Sequence, residues 1–127
     1  MEERIRFISY RGRQILLVDG SNCNAEEVAK LARLAPTYVR AQPLGSVLLM
    51  ADFTGATVDK AALPSIKEAT VYDRPYLKRS ARVGAEALPK IFYENIKTFS
   101  QRDLPTFKTR EEALEWLVAE EKMASGQ

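Results

Sequence analysis

The chain is predicted to be an α/β domain: a mixed, mostly parallel sheet of about five strands, opened by an N-terminal hairpin and flanked by about four helices. Three observations carry this prediction. Residues 1–20 alternate in polarity and break at a glycine-containing turn, as a β-hairpin does. Beyond them, strand-like apolar runs alternate with stretches of helical periodicity. In the middle, Ser46-Val47-Leu48-Leu49-Met50-Ala51 runs straight into the polar loop Asp52-Phe53-Thr54-Gly55-Ala56-Thr57. A short apolar run with a polar exit is the mark of a strand buried on both faces.

Each element has its own signal. Ile5, Phe7 and Ser9 alternate with Arg4, Arg6 and Ile8, Tyr10-Arg11-Gly12-Arg13 supplies the turn, and Gln14-Ile15-Leu16-Leu17-Val18 returns. Asp19-Gly20-Ser21-Asn22 breaks the hairpin. Asn24 precedes Glu27 by three residues, a capping-box spacing, and Val28, Leu31, Ala32, Leu34 and Ala35 form one helical face. Pro36 lacks the amide a continuing helix needs, so it is expected to end or kink this helix, with 38–41 as a final turn. Pro43-Leu44-Gly45 leads into the central strand. Asp59 or Thr57 caps a second helix carrying Leu63, Ile66, Ala69 and Tyr72, with Pro64 near its start and Asp73-Arg74-Pro75 as its stop. Residues 76–83 read as a strand with Leu77, Ala81 and Val83 on one face, ending at Gly84. A third helix begins near Pro89, with Leu88, Ile91, Phe92, Asn95, Ile96 and Phe99 at helical spacing. Residues 104–108 form a last short strand. Thr109-Arg110-Glu111-Glu112 is a second capping box, opening a helix with Ala113, Leu114, Trp116, Leu117 and Val118. Its acids suit the positive end of the helix dipole, which makes them structural.

At 127 residues the chain is expected to be a single domain over 1–127, with 123–127 a frayed tail. Hydrophobic content of 46% and charged content of 28% are ordinary for a globular protein. No apolar stretch is long enough to span a bilayer, and Met1-Glu2-Glu3-Arg4 opens without an apolar signal core, so a cytoplasmic location is expected. Cys23 is the only cysteine, which excludes an internal disulfide.

There is no histidine. That removes triad hydrolysis, which needs an imidazole base, and zinc sites built on His and Cys. Carboxylate, lysine or tyrosine chemistry remains, or none; no catalytic residue, cofactor or metal is assigned. The net charge of +2 is too small to imply a polyanionic partner. Arg74, Lys78, Arg79, Arg82 and Lys90, with Tyr72, Tyr76 and Phe92 between them, could form a nucleic-acid surface. Solvent-facing charge on strands explains them more simply, so no nucleic-acid partner is assigned.

In open α/β sheets, sites form where strands end at the carboxyl edge, so the loop after the central strand is where to look. The candidate partner or ligand surface is Asp52, Thr54, Gly55, Thr57, Asp59 and Lys60.

Three blocks resemble the SpoIIAA-like branch of the STAS-like proteins, a group also likened to CRAL-TRIO lipid-transfer domains. They are Gly45-Ser46-Val47-Leu48 through Asp52-Phe53-Thr54-Gly55, Arg74-Pro75-Tyr76-Leu77-Lys78 through Ala81-Arg82-Val83-Gly84, and Phe107-Lys108-Thr109-Arg110-Glu111-Glu112-Ala113-Leu114-Glu115-Trp116-Leu117. The resemblance implies a mixed sheet flanked by helices and a regulatory or binding role. In the anti-sigma-factor antagonists an Asp-Ser pair follows the central strand, and its serine is phosphorylated. Asp52-Phe53-Thr54 and Asp59 match the acidic positions, but Lys60 stands where that serine would be, followed by Ala61 and Ala62. Thr54 and Thr57 are the nearest hydroxyls and the alternative phosphorylation sites, though both read more simply as turn or cap residues.

Three functions are weighed. The leading expectation is a non-catalytic signalling module that binds a protein partner through the loop and helix after the central strand. The alternative is a binding domain for a small apolar ligand (a lipid) or a nucleotide, held between a helix and the sheet near 52–57 and Gly84. No glycine-rich phosphate loop supports it. Third is an enzyme using Asp52 and Asp59 with Lys60 or Lys78. A homodimer is expected only on the general frequency of two-fold oligomers.

Overall fold

The computed structural model describes residues 2–84 and 105–119. Its strands are β1 (Ile5–Tyr10), β2 (Arg13–Asp19), β3 (Val47–Asp52), β4 (Leu77–Val83) and β5 (Thr106–Phe107). The α-helices among the described residues are α1 (Ala25–Val39), α2 (Leu63–Asp73) and α3 (Arg110–Val118). The helix expected from Pro89 and the tail at 123–127 lie outside the described residues.

The strands form one sheet in the order β1-β2-β3-β4-β5. Only β1 and β2 are antiparallel; the other neighbouring pairs are parallel. The fold is thus α/β with a mixed, mostly parallel sheet opened by a hairpin. Arg11 and Gly12 both have positive φ, 50° and 78°, as a two-residue type I′ turn requires.

Two layers of core sandwich the sheet. Helices α1 and α2 cover one face, where Val28, Leu31, Val39 and Ile66 meet Leu16 and Val47. Helix α3 covers the other, with Ala113 and Leu117 against Ile15, Leu17, Leu48, Met50, Ala81 and Val83. Strands β2 and β3 are apolar toward both layers, which explains their near-continuous hydrophobic runs.

Both N-terminal helix signals are used. Asn24 Oδ1 accepts from the Glu27 amide at 2.8 Å and Glu27 Oε1 accepts from the Asn24 amide at 2.9 Å, a complete capping box. At α3 the Thr109 hydroxyl accepts from the Glu112 amide at 3.2 Å, but the return bond from Glu112 goes to the amide of Lys108.

Two sequence expectations, on Leu77 and Tyr72, are corrected, and of the alternatives at Pro36 an end to the helix is excluded. Helix α1 runs on to Val39 with a turn at 40–41, as the expected final turn at 38–41 allows, and the Arg40 amide donates to the Pro36 carbonyl at 2.9 Å. Proline removes one donor but keeps its own carbonyl, and burial of Pro36 and Val39 holds the last turn. Leu77 does not share a face with Ala81 and Val83. A register shift between Val47 and Leu48, which pair with Leu77 and Arg79, inserts one extra residue in β4 and reverses the parity. Leu77 packs with the α1/α2 layer, whereas Ala81 and Val83 face α3. Tyr72 is not on the buried side of α2; it is 51% exposed.

Candidate functional site

The carboxyl edge of the parallel strands is built from two turns of the same design. At the end of β2, Asp19 Oδ1 accepts from the Ser21 amide at 3.1 Å and from its hydroxyl at 2.5 Å. At the end of β3, Asp52 Oδ1 accepts from the Thr54 amide at 2.9 Å and from its hydroxyl at 2.7 Å. Aspartate bonding the backbone two residues ahead is the usual way an Asp-x-Ser or Asp-x-Thr segment closes a turn. Asp19 and Asp52 are register partners, so the two turns lie side by side.

Arg110, the first residue of α3, joins them. Its Nε donates to Asp52 Oδ2 at 2.6 Å and its Nη2 meets Asp19 Oδ1 at 3.0 Å. The Asp52 side chain is 5% exposed and that of Asp19 18%. A carboxylate as buried as Asp52 needs both a counter-charge and hydrogen bonds, and it has both. Burial works to raise the Asp19 carboxyl, but the two Ser21 bonds and the Arg110 charge outweigh it and hold Asp19 below the usual range. Burial works to lower the guanidinium of Arg110; Asp52 and then Asp19 override it, so its proton is held more tightly than usual. Arg4 closes the other side, donating to the carbonyls of Asp19 at 3.0 Å and Ser21 at 3.1 Å.

Backbone bonds fix the loops to one another. The Gly20 amide donates to Asp52, Asn22 to Thr54, Phe53 to Val83 and Thr57 to Cys23, all between 2.8 and 2.9 Å. Gly84, with φ +72°, lies so close under Thr54 that a Cβ there would sit 2.5 Å from its hydroxyl and 2.6 Å from its amide nitrogen. Only glycine fits.

The structure separates the predicted surface residues by role. Asp52 is buried and forms the hub of the charge bridge. Thr54, Gly55 and Thr57 are exposed along the loop. Asp59 caps a 3-10 turn, Lys60–Ala62, by accepting from the Ala62 amide at 3.1 Å, and that turn leads into α2. Lys60 is exposed at its first position. The basic stretch does not form one surface: Arg79 lies on the α3 side, 5.2 Å from the Trp116 ring centroid, while Arg82 lines the opposite layer. Lys90 and Phe92 lie outside the described residues.

Asp19, Ser21 and Arg110 are members of this site that the sequence analysis missed. Two signals were available. Asp-x-Ser and Asp-x-Thr recur at the exits of two strands, and Arg110 places a cation in the first turn of a helix, where the dipole disfavours it.

Between the α1/α2 layer and the sheet lies a cavity of about 90 Å³, bounded by small and apolar residues such as Gly20, Ala35, Ala51 and Ala69, with Asp73 and Arg82 also on its wall. Among the described residues, no group of three or more His, Cys, Asp or Glu side chains could hold a metal ion, and no helix is long and apolar enough to cross a membrane.

Fold and site together define an α/β domain whose parallel-strand ends carry paired, charge-bridged hydroxyl–carboxylate turns. Comparison with protein-family models, curated proteins and solved structures returned no match.

Proposed function

We propose that this protein is a non-catalytic regulatory module of the STAS-like, SpoIIAA-like type, which binds a protein partner through the loop at 52–57 and the capped turn at Asp59 and Lys60. The observation that carries this reading is the combination of an exposed loop rim with a fixed base. Thr54, Gly55, Thr57, Asp59 and Lys60 are exposed to solvent, while backbone bonds to Asn22, Cys23 and Val83 hold the loop in place. A pre-ordered loop loses little conformational freedom on binding. Both oxygens of the buried Asp52 carboxylate are already engaged, Oδ1 by Thr54 and Oδ2 by Arg110, which favours a structural role for it.

The small-molecule alternative has the cavity in its favour, but about 90 Å³ is far below the roughly 300–1,000 Å³ of ordinary ligand pockets, and a larger, open hollow of about 400 Å³ along α2, lined by Pro64, Lys67, Glu68, Val71 and Tyr72, includes neither the loop at 52–57 nor Gly84. A lipid chain or a nucleotide needs more room, so partner binding is preferred.

The test is quantitative affinity capture from the native host with the natural protein and a Thr57→Arg/Lys60→Glu variant. Both changes lie on exposed positions and should leave folding intact. The expected result is a protein retained by the natural chain and lost by the variant. No specific partner, or one indifferent to the variant, overturns the reading; a small molecule co-purifying in native mass spectrometry would favour the alternative.

A further inference from the structure

Among the described residues, strand β1 forms one edge of the sheet, with β2 on its inner side. The tight turn makes Tyr10 and Arg13 the closing hydrogen-bonded pair. Alternation along an antiparallel ladder then aims the amides and carbonyls of Tyr10, Ile8 and Arg6 at β2. Those of Ile5, Phe7 and Ser9 point away from the sheet. The same strand exposes Phe7, which is 41% accessible, on the face where Ile5 and Leu16 begin the α1 core. An edge with an apolar side chain and a regular row of outward backbone groups is a template for another strand.

We propose that this edge is a self-association surface, on which two copies of the chain pair their β1 strands antiparallel about a two-fold axis at Phe7. The register follows from the geometry. A two-fold perpendicular to the sheet pairs residues of equal parity. Centred on Phe7, it sets Phe7 opposite Phe7 of the second copy, Ile5 opposite Ser9 and Arg6 opposite Ile8. Because Ile5, Phe7 and Ser9 all point outward, every outward amide and carbonyl of the strand is used, giving two bonds in each of three pairs. Centring on Ile8 instead leaves Ile5 without an opposite number. The two Phe7 rings meet on one face, an aromatic cross-strand pair. On the other face Arg6, which donates to the Glu3 carbonyl of its own chain at 3.2 Å, lies across from Ile8.

This surface is separate from the partner loop at 52–57. The paired edges bury little area, so association is weak and depends on concentration.

Sedimentation velocity on the full chain, from micromolar to near-millimolar concentration, should show a monomer–dimer equilibrium. Ser9→Pro removes one outward amide while sparing the ladder to β2, and Phe7→Lys puts like charges at the axis; each should weaken the dimer roughly tenfold or more without altering the circular dichroism. Opposed Cα atoms in a hydrogen-bonded pair lie about 5.5 Å apart, within disulfide range. Phe7→Cys should therefore give a covalent dimer with oxidised glutathione, and Tyr72→Cys should not; Cys23, 1% exposed, does not compete. A monomer at every concentration overturns the proposal. So does a dimer indifferent to both Ser9→Pro and Phe7→Lys, or one trapped at Tyr72 rather than Phe7.

Discussion

The two turns at the carboxyl edge share a design and differ in depth. Both use an aspartate to bind the amide and hydroxyl of the residue two positions ahead, and both carboxylates meet Arg110. Asp52 sits in the middle of the sheet edge with its charge almost wholly removed from water, whereas Asp19 keeps partial access to solvent and a second cation, Arg4, 3.9 Å away. The same local chemistry is therefore structural dependence at β3 and a more tolerant contact at β2. Depth sets the cost of a change, because a buried carboxylate without its partner cannot turn to water instead.

The largest effect that separates the turns is expected from Gly84→Ala. A methyl group there collides with Thr54 backbone and hydroxyl at a positive φ, and its three nearest atoms all belong to that residue of the β3 turn. Chemical denaturation should show a loss of about 2–4 kcal/mol. Arg110→Met comes next, at about 2–3 kcal/mol, since it leaves Asp52 buried beside Asp19 with no counter-charge. In that background, Asp52→Asn should restore part of the lost stability, because the uncompensated buried charge is gone. In the natural chain the same substitution should cost about 1–2 kcal/mol and Asp19→Asn under about 1 kcal/mol. Equal costs would mean that the difference in burial has no energetic weight.

The pH dependence isolates the shallower turn. The Asp19 carboxyl is held below its ordinary value of 3.8 in the folded state. A depressed folded pKa stabilises the protein fully above the unfolded value and is lost as pH falls through the folded one. Acid titration of stability should therefore show a contribution that fades from about pH 4 downward and is absent in Asp19→Asn. An unchanged acid limb in that variant would mean that Ser21 and Arg110 leave the carboxyl where it was.

Much of the scaffold was legible in the sequence because each element carries its own local signal. The Arg11-Gly12 turn, the Asn24–Glu27 box and the two-sided apolarity of β3 all depend on neighbours within a few residues. The central loop was legible for the same reason, as a polar exit from a buried strand. Arg110 was not. Its partners lie 58 and 91 residues earlier, and a capping box drew attention to the two acids that follow it. The face of Leu77 was equally hidden, since one bulge reverses the parity of everything before it. Charge bridges and bulges are decided by which strands become neighbours, and no window along the chain contains that information.

The finest difference lies in the two hydroxyls. Thr54→Val keeps the shape of the side chain and the amide bond to Asp52 but removes one donor from a buried acceptor, which should cost about 1 kcal/mol. Ser21→Ala removes the matching donor from Asp19, where water can replace it, and about half that loss is expected. The comparison becomes decisive when repeated with Arg110→Met. Without the guanidinium, Asp52 depends more heavily on the hydroxyl that remains, so the cost of Thr54→Val should grow while that of Ser21→Ala stays nearly constant. If both grow equally, Arg110 serves the two turns alike and burial does not distinguish them. If only Thr54→Val grows, Arg110 and Thr54 act as one unit around Asp52, and the deeper turn anchors the loop on which the proposed partner surface is carried.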